Sequence, residues 1–341
     1  LKNHAMPDFH IQLEDGTAFT CGAHDTLTRA GLRAGLAMPY ECNAGGCGTC
    51  RYELLSGEVE DMYPAAPALT ERDRRKGRRL GCQSVPRSDL TVRINLEPCA
   101  VAAPMPRRLQ ATLTGTSEIT HDIREFRFRL DQPAHFLPGQ YALLEIPSVD
   151  RPRAYSMSNI ADGGNEWHFQ IRRVPQGKGT EALFERFEQG ARLVIDGPFG
   201  NAFLRDDVAR DIVCVAGGSG LSPMLSIARG MAASSALAQR RLRFFMGGRT
   251  DADIGGEMEL RALAGFGSSI TFHPAVSMPE PQSLWTGAVG FAHDVALAAV
   301  GDRPADHEWY FAGPPPMVMA VESSLRNAGV PQQQLHFDRY F

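Results

Sequence analysis

The sequence contains no apolar run that reaches the ~18 residues of a membrane-spanning helix, and no signal peptide is legible at its start. It has no surplus of positive charge. The formal net charge is −4, so nucleic acid is not an expected partner, and neither is a membrane. No Cys-x-His pair occurs to accompany the lone Cys-x2-His, Cys21-Gly-Ala-His24, so the paired histidine ligands of a Rieske centre are not supplied. Only one C-x2-C knuckle is present, whereas a structural zinc site pairs two or adds histidines at fixed spacing. There is no internal repeat and no low-complexity tract. Cysteine is scarce and its count, seven, is odd. Four fall into one pattern and leave Cys21, Cys99 and Cys214 unassigned, which suits a reducing cytoplasm better than a disulfide scaffold. A chain of 341 residues exceeds one ordinary core and is expected to form two or three domains. Leu1 to Ala5 fit no pattern before Met6 and read as a tag remnant.

What is present begins with Pro39-Tyr-Glu-Cys-Asn-Ala-Gly-Gly-Cys-Gly-Thr-Cys50. Cys42, Cys47 and Cys50 stand at C-x4-C-x2-C spacing, with Cys82 downstream. That is the plant-type spacing for a [2Fe–2S] cluster. Each iron needs two sulfur ligands, so a short loop must wrap three thiolates around one inorganic core. Gly45, Gly46 and Gly48 permit the backbone angles this wrapping needs and let amides approach the sulfurs. A structural zinc site is the competing use of the same cysteines.

Around this loop the sequence predicts a hairpin (8–13 and 17–21, turning at Glu14-Asp15-Gly16) and a helix over 27–34 capped by Asp25 or Thr26. Strands are expected at 52–59, broken by Gly57, at 80–83 and at 90–95. The basic run Arg72 to Arg79 reads as a solvated turn, or else as a docking patch for an acidic partner. This α+β segment, residues 6–97, resembles the β-grasp fold of plant-type ferredoxins. Residues 98–106, rich in Pro and Ala, read as a linker.

Residues 107–205 change texture. Strands at 109–115, 123–130, 141–146, 167–174 and 192–196, with one helix at 180–187, indicate an antiparallel β-barrel. Residues 206–341 alternate strands (212–216, 242–246, 270–273, 309–312) with helices (223–233, 257–264, 292–299, 316–328). That alternation indicates an α/β parallel-sheet nucleotide domain.

Two further motifs carry chemistry. Arg153-Ala-Tyr155-Ser156-Met-Ser-Asn159 precedes Gly177-Lys178-Gly179-Thr180 at a helix start. Arginine can pair with a pyrophosphate, and a helix N-terminus with small residues receives it. Tyrosine can stack on a flat ring, and serine can hydrogen-bond a ring nitrogen. Gly217-Gly218-Ser219-Gly220-Leu-Ser222-Pro223 joins a buried strand to a helix, with Ser222 as expected N-cap. It suits either a dinucleotide pyrophosphate at a sheet edge or an ordinary tight turn.

Together these residues resemble the ferredoxin–NAD(P) reductase superfamily, in the arrangement of NADH-dependent reductase components of bacterial multicomponent oxygenases. The cysteine loop and the tail His336-Phe-Asp-Arg-Tyr-Phe341 look most like reductases of toluene-type soluble di-iron monooxygenases. The resemblance implies a [2Fe–2S] cluster on Cys42, Cys47, Cys50 and Cys82. It implies FAD, rather than FMN, because the ferredoxin domain comes first. The FAD would be held by Arg153, Tyr155, Ser156 (facing N5), Ile171, Arg172, Lys178, Gly179 and Thr180. Aromatic Phe341 would either stack on the flavin or pack the last strand. NADH would meet Gly217, Gly218, Ser219, Gly220, Arg249, Gly313 and Pro314. Asp251 and Asp253 would repel a 2′-phosphate or merely line a solvated loop. Ala312 stands where the family has a cysteine, so that thiol's role does not transfer and no catalytic residue is assigned. The implied activity passes electrons from NADH through FAD and the cluster to an oxygenase or hydroxylase component, or to its small ferredoxin, from a monomeric reductase. The alternatives are the reductase of a Rieske ring-hydroxylating dioxygenase and an electron carrier that does not oxidise NADH.

Overall fold

The computed structural model describes residues 7–97 and 104–338. It comprises two compact units, one ending at Arg107 and the other beginning at Arg108.

In the first unit β1 (Asp8–Leu13) and β2 (Ala18–Gly22) form the expected hairpin. Helix α1 (Leu27–Arg33) follows Thr26, whose Oγ1 accepts from Arg29 Nε at 2.8 Å instead of capping the helix. Strands β3 (Arg51–Ser56) and β4 (Val59–Asp61) separate at Gly57, which has φ +95°. The basic run is not a turn. Helix α2 (Glu71–Arg75) starts with a capping box in which Thr70 and Asp73 exchange side-chain-to-backbone bonds at 3.2 Å. The single strand expected at 80–83 is divided into β5 (Arg78–Leu80) and β6 (Ser84–Pro86), with Cys82 in the turn between them. With β7 (Leu90–Arg93) the main sheet runs β2-β1-β7-β3-β5, and β4 pairs with β6. Ile11, Leu13, Leu27, Tyr52 and Val92 fill its core.

The second unit opens with a six-stranded antiparallel barrel. Its strands are β8 (Arg107–Glu118), β9 (Ile123–Leu130), β10 (Tyr141–Glu145), β11 (Arg153–Ser156), β12 (Glu166–Arg172) and β13 (Arg192–Phe199). They lie in the order β11-β10-β13-β8-β9-β12. A bridge between Met157 and Phe169 joins the two end strands and nearly closes the barrel. Helix α3 (Lys178–Arg186) packs Leu183 into the barrel core beside Phe126, Phe128 and Phe169. The sequence predicted five strands. The sixth, β11, is the Arg153-to-Ser156 string itself. Four residues without inside–outside alternation give too weak a signal for period-two reading.

The parallel sheet follows: β14 (Asp211–Gly217), α4 (Leu221–Ala233), β15 (Leu242–Gly248), α5 (Glu257–Arg261), β16 (Ile270–Val276), β17 (Ala288–Val289), α6 (Ala292–Val300), β18 (His307–Ala312), α7 (Pro315–Asn327) and β19 (Leu335–His336). The order is β17-β16-β15-β14-β18-β19. The chain builds outward from β14 in one direction, then returns to its other side with β18. A parallel sheet has its ligand crevice where strand order reverses in this way, at the carboxyl ends of the strands. Here that point lies between β14 and β18. Among the described residues, no helix is long and apolar enough to cross a membrane.

Candidate redox sites: a cysteine loop and a strand-end crevice

The cysteine loop gathers Cys42, Cys47 and Cys50 with Cys82 from the β5–β6 turn. All four thiols lie close enough to shift one another, most strongly Cys42 with Cys47 and Cys50 with Cys82. Each pair pushes one member toward thiolate. Cys47 is pulled down to about 5, chiefly by its hydrogen bond with Cys42, while Cys42 is raised. Cys82 is lowered by Cys50, which is itself raised. Backbone amides of Ala44 and Cys47 donate to Cys42 Sγ at 3.4 and 3.5 Å, and Thr49 N donates to Cys47 Sγ at 3.5 Å. Gln83 Nε2 adds a 3.4 Å bond to Cys82 Sγ. Gly45 has φ +84°, and an added Cβ would meet Ala66, Gln83 and Tyr63 at 3.3 Å each. Ala66, Leu69 and Leu80 seal the inner side, while Thr49 is exposed. Thiolates in two pairs, each supplied with N–H donors, fit a two-iron cluster in which each iron takes two cysteines.

In the second unit, β11 and the start of α3 come together. An added Cβ on Gly179 would lie 3.0 Å from Arg153 Cγ and 3.5 Å from the Tyr155 hydroxyl, so the bare glycine lets α3 start close against β11. Arg153 donates to Asp150 Oδ1 at 3.1 Å and to Arg151 O at 2.8 Å. Thr180 Oγ1 accepts from Val174 N at 3.1 Å, and its one proton faces the carbonyls of Gly177 and Val174 at 3.1 and 3.2 Å, fixing the loop before α3. Lys178 is exposed at the helix start. Burial pushes the Tyr155 phenol up to about 12, and Ser156 is buried. An arginine, an exposed lysine and a helix N-terminus around a glycine-wide gap fit a pyrophosphate. Ile171 points into the barrel core. Arg172 is not in this group. It donates through Nε to Asp122 Oδ2 at 2.6 Å, lies 3.7 Å from Asp253, and would sit 3.2 Å from a Cβ on Gly218.

At the sheet's switch point, Gly217 ends β14 and Gly218 to Gly220 form a single 3₁₀ turn. Gly218 is left-handed (φ +55°). A Cβ on Gly220 would fall 1.9 Å from Ala312 O, and one on Gly313 would lie 3.2 Å from Gly217 O. The turns after β14 and β18 therefore touch backbone to backbone, with Pro314 next in line. Ser219 is exposed at the tip. Ser222 is not the N-cap. It lies inside α4, and its hydroxyl bonds to the barrel because the 3₁₀ turn already leads the chain into the helix. Arg249, exposed after β15, anchors its amide on Asp253 Oδ2 at 2.9 Å. Thr250 N donates to the same oxygen at 3.0 Å, so Asp253 organises its own loop, while Asp251 stays exposed. Ala312 is 2% exposed and packs with Leu221 and Met224. Phe341 lies outside the described residues. The sequence reading missed Ser226 and Arg229, whose signal was a polar stripe on an apolar helix.

Three family models cover most of the chain: the 2Fe-2S iron–sulfur cluster binding domain over residues 11–87, the oxidoreductase FAD-binding domain over 110–203 and the oxidoreductase NAD-binding domain over 214–323. The ferredoxin–NAD(P)(+) reductase CarAd of Metapseudomonas resinovorans is 39% identical over 98% of this chain and 100% of its own length. The chain belongs to the ferredoxin–NAD(P)(+) reductase family. Equally similar, at 39% identity over 97% of this chain and 100% of that protein, is the ferredoxin–NAD(+) reductase component of the alkene monooxygenase system of Xanthobacter autotrophicus. The solved ferredoxin reductase in carbazole 1,9a-dioxygenase superposes with TM-score 0.91 at 35% identity, covering 99% of this chain and 100% of that one. This reductase is thus an oxidoreductase with [2Fe–2S], FAD and NAD domains.

Proposed function

We propose that this reductase takes electrons from NADH and delivers them singly to an oxygenase component, with each site residue acting as follows. Cys42, Cys47, Cys50 and Cys82 ligate the cluster, and the amides of Ala44, Cys47 and Thr49 stabilise the sulfur charge. Arg153, Lys178, Gly179 and Thr180 receive the FAD pyrophosphate. Tyr155 packs on the flavin ring and Ser156 faces N5. Gly217 to Gly220 offer backbone amides to the NADH pyrophosphate, Arg172 flanks that loop, and Arg249 meets the adenosine half. Gly313 and Pro314 wall the nicotinamide end. When bound, FAD would supply acceptance of one hydride, two electrons together, and the cluster would supply one-electron transfer. The protein's part is to hold donor and acceptor in line and keep water out.

The observation that carries this reading is a direct bond between the two half-sites. Ser222, two residues past the glycine turn, donates to Ser156 O at 2.7 Å. The flavin string and the nucleotide turn are thereby neighbours, as hydride transfer requires.

NADH is the preferred nucleotide, because exposed Asp251 opposes a 2′-phosphate beside Arg249. The partner is an oxygenase component, as the names of the alkene monooxygenase relative and of the carbazole 1,9a-dioxygenase structure describe for their own systems. The cysteine loop and tail favour a di-iron monooxygenase of the toluene type, and the alkene monooxygenase relative supports that class. A dioxygenase partner is the second reading, favoured by the full-length match to the carbazole dioxygenase reductase. The protein works as a monomer in the cytoplasm.

The test is direct. Purified protein should contain two irons, two acid-labile sulfides and one FAD per chain, and NADH should bleach the flavin anaerobically. Stoichiometric zinc, extracted FMN or an unbleached flavin would each overturn the proposal. Product formation with each purified oxygenase type separates the two partner readings.

A further inference from the structure

Helix α4 is apolar except for Ser222, Ser226 and Arg229, spaced i, i+4 and i+7 on one face. Ser222 and Ser226 are essentially buried, at 1% and 0% exposure. A buried serine inside a helix commonly turns its hydroxyl back to its own i−4 carbonyl. These two face outward. Ser222 Oγ donates to Ser156 O at 2.7 Å and accepts from Gln170 N at 3.2 Å. Ser226 Oγ donates to Asn159 O at 2.7 Å and accepts from Gly139 N at 3.3 Å. Arg229 Nη1 donates to Ser158 O at 2.5 Å. Every accepting carbonyl belongs to residues 156–159, the end of the flavin string. That segment is also fixed from the barrel side, by Met157 N to Gln140 O at 3.1 Å and Ser158 N to His168 O at 2.7 Å.

The helix that begins at the nucleotide turn is therefore fastened along two turns of its length to the strand that presents Ser156. We infer that Ser222, Ser226 and Arg229 are positioning residues for hydride transfer: they set the distance and angle between the nucleotide turn and the flavin string. Apolar packing alone would hold the two domains together but is non-directional. Five hydrogen bonds to one four-residue segment and its barrel neighbours fix translation along the helix axis as well as rotation about it. Such precision matters because a misplacement of about 1 Å can cost on the order of 10²-fold in rate. The inference rests on the proposed reading that Ser156 lies at the flavin and Gly217 to Gly220 at the NADH pyrophosphate.

The experiment is anaerobic stopped-flow bleaching of the FAD-loaded, cluster-loaded protein by saturating NADH, comparing the natural chain with Ser222→Ala/Ser226→Ala. The variant should retain FAD and iron and accept electrons from dithionite at the natural rate. Its bleaching by NADH should slow about tenfold or more. With 4-deuterated NADH its primary isotope effect should become larger or more temperature-dependent, a change that loss of stability alone would not produce. Should the double variant lose FAD, Arg229→Met removes the donor to Ser158 while keeping the stem and carries the same expectation, with Arg229→Lys restoring part of the rate. A loaded variant that bleaches within twofold of the natural rate, with only its melting temperature lowered, overturns this inference alone. Failure of NADH to bleach the natural protein overturns the functional reading and this inference with it.

Discussion

The cysteine loop and the proposed flavin–nucleotide site would hold their redox groups by opposite means. Three of the four cysteines lie within nine residues, and the loop supplies its own amide donors from Ala44, Cys47 and Thr49. The crevice is assembled from residues 139–180, 217–229 and 312–314, which meet only because a barrel and a parallel sheet pack together. A local site depends on its own backbone. An assembled site depends on the interface, so damage there should appear first in rate and only later in binding.

The sharpest test of this contrast is Cys50→Ser. It should abolish most of the cluster and cut cytochrome c reduction by more than about a hundredfold, yet leave NADH-to-ferricyanide activity within a few-fold, since the two units can fold apart. Parallel assays with both acceptors decide it. Equal loss of both activities would break the comparison.

Gly220→Ala strikes the assembled site where it is tightest. The new methyl would fall on the Ala312 carbonyl, so the two turns must part, at about 1–3 kcal/mol for overpacking. Nucleotide-driven flavin reduction should fall by one to two orders of magnitude, with iron content intact. Recovery of full NADH activity would show that the two turns need not touch.

Arg153→Ala removes a charge-assisted bond worth about 1.5–3 kcal/mol. FAD should dissociate roughly ten- to a hundredfold more readily, as measured by flavin fluorescence on dilution. Cluster absorbance should not change. Tight FAD retention would place Arg153 outside the site.

Ala312→Cys should alter flavin bleaching by no more than about tenfold, or ~1.4 kcal/mol of barrier. Ala312 is enclosed by the core beside Leu221, so a sulfur there has little freedom to reorient a ring. Stopped-flow traces that show no NADH bleaching in the natural protein, restored by the cysteine, would revive a carrier without dehydrogenase activity.

The smallest effect belongs to Asp251→Asn, which should narrow the NADH-over-NADPH ratio of kcat/KM severalfold through exposed-charge repulsion, more at low salt. Asp253→Asn should instead weaken both nucleotides, because Asp253 holds the amides of Arg249 and Thr250. Identical ratios in the Asp251 variant and the natural chain would reduce Asp251 to a solvated side chain.

What the sequence determined by itself was whatever short-range physics controls. Cysteine spacing, glycines at the turns and the switch from period-two strands to alternating strands and helices revealed the iron–sulfur chemistry and the three fold types. These signals sit within a few residues and need no partner. Capping chemistry that the sequence also carried, Thr70 with Asp73, was hidden by the density of arginines around it. Tertiary structure alone decided the rest. It made a barrel strand of Arg153 to Ser156, whose pairing energy comes from β10, not from its own pattern. It moved Arg172 toward Gly218 and set Asp253 to hold its own loop. It turned Ser222 from an expected cap into a tie between two domains. Each outcome depends on which distant backbone group lies within about 3 Å, and a distance of that kind is fixed only once the barrel and the sheet have packed.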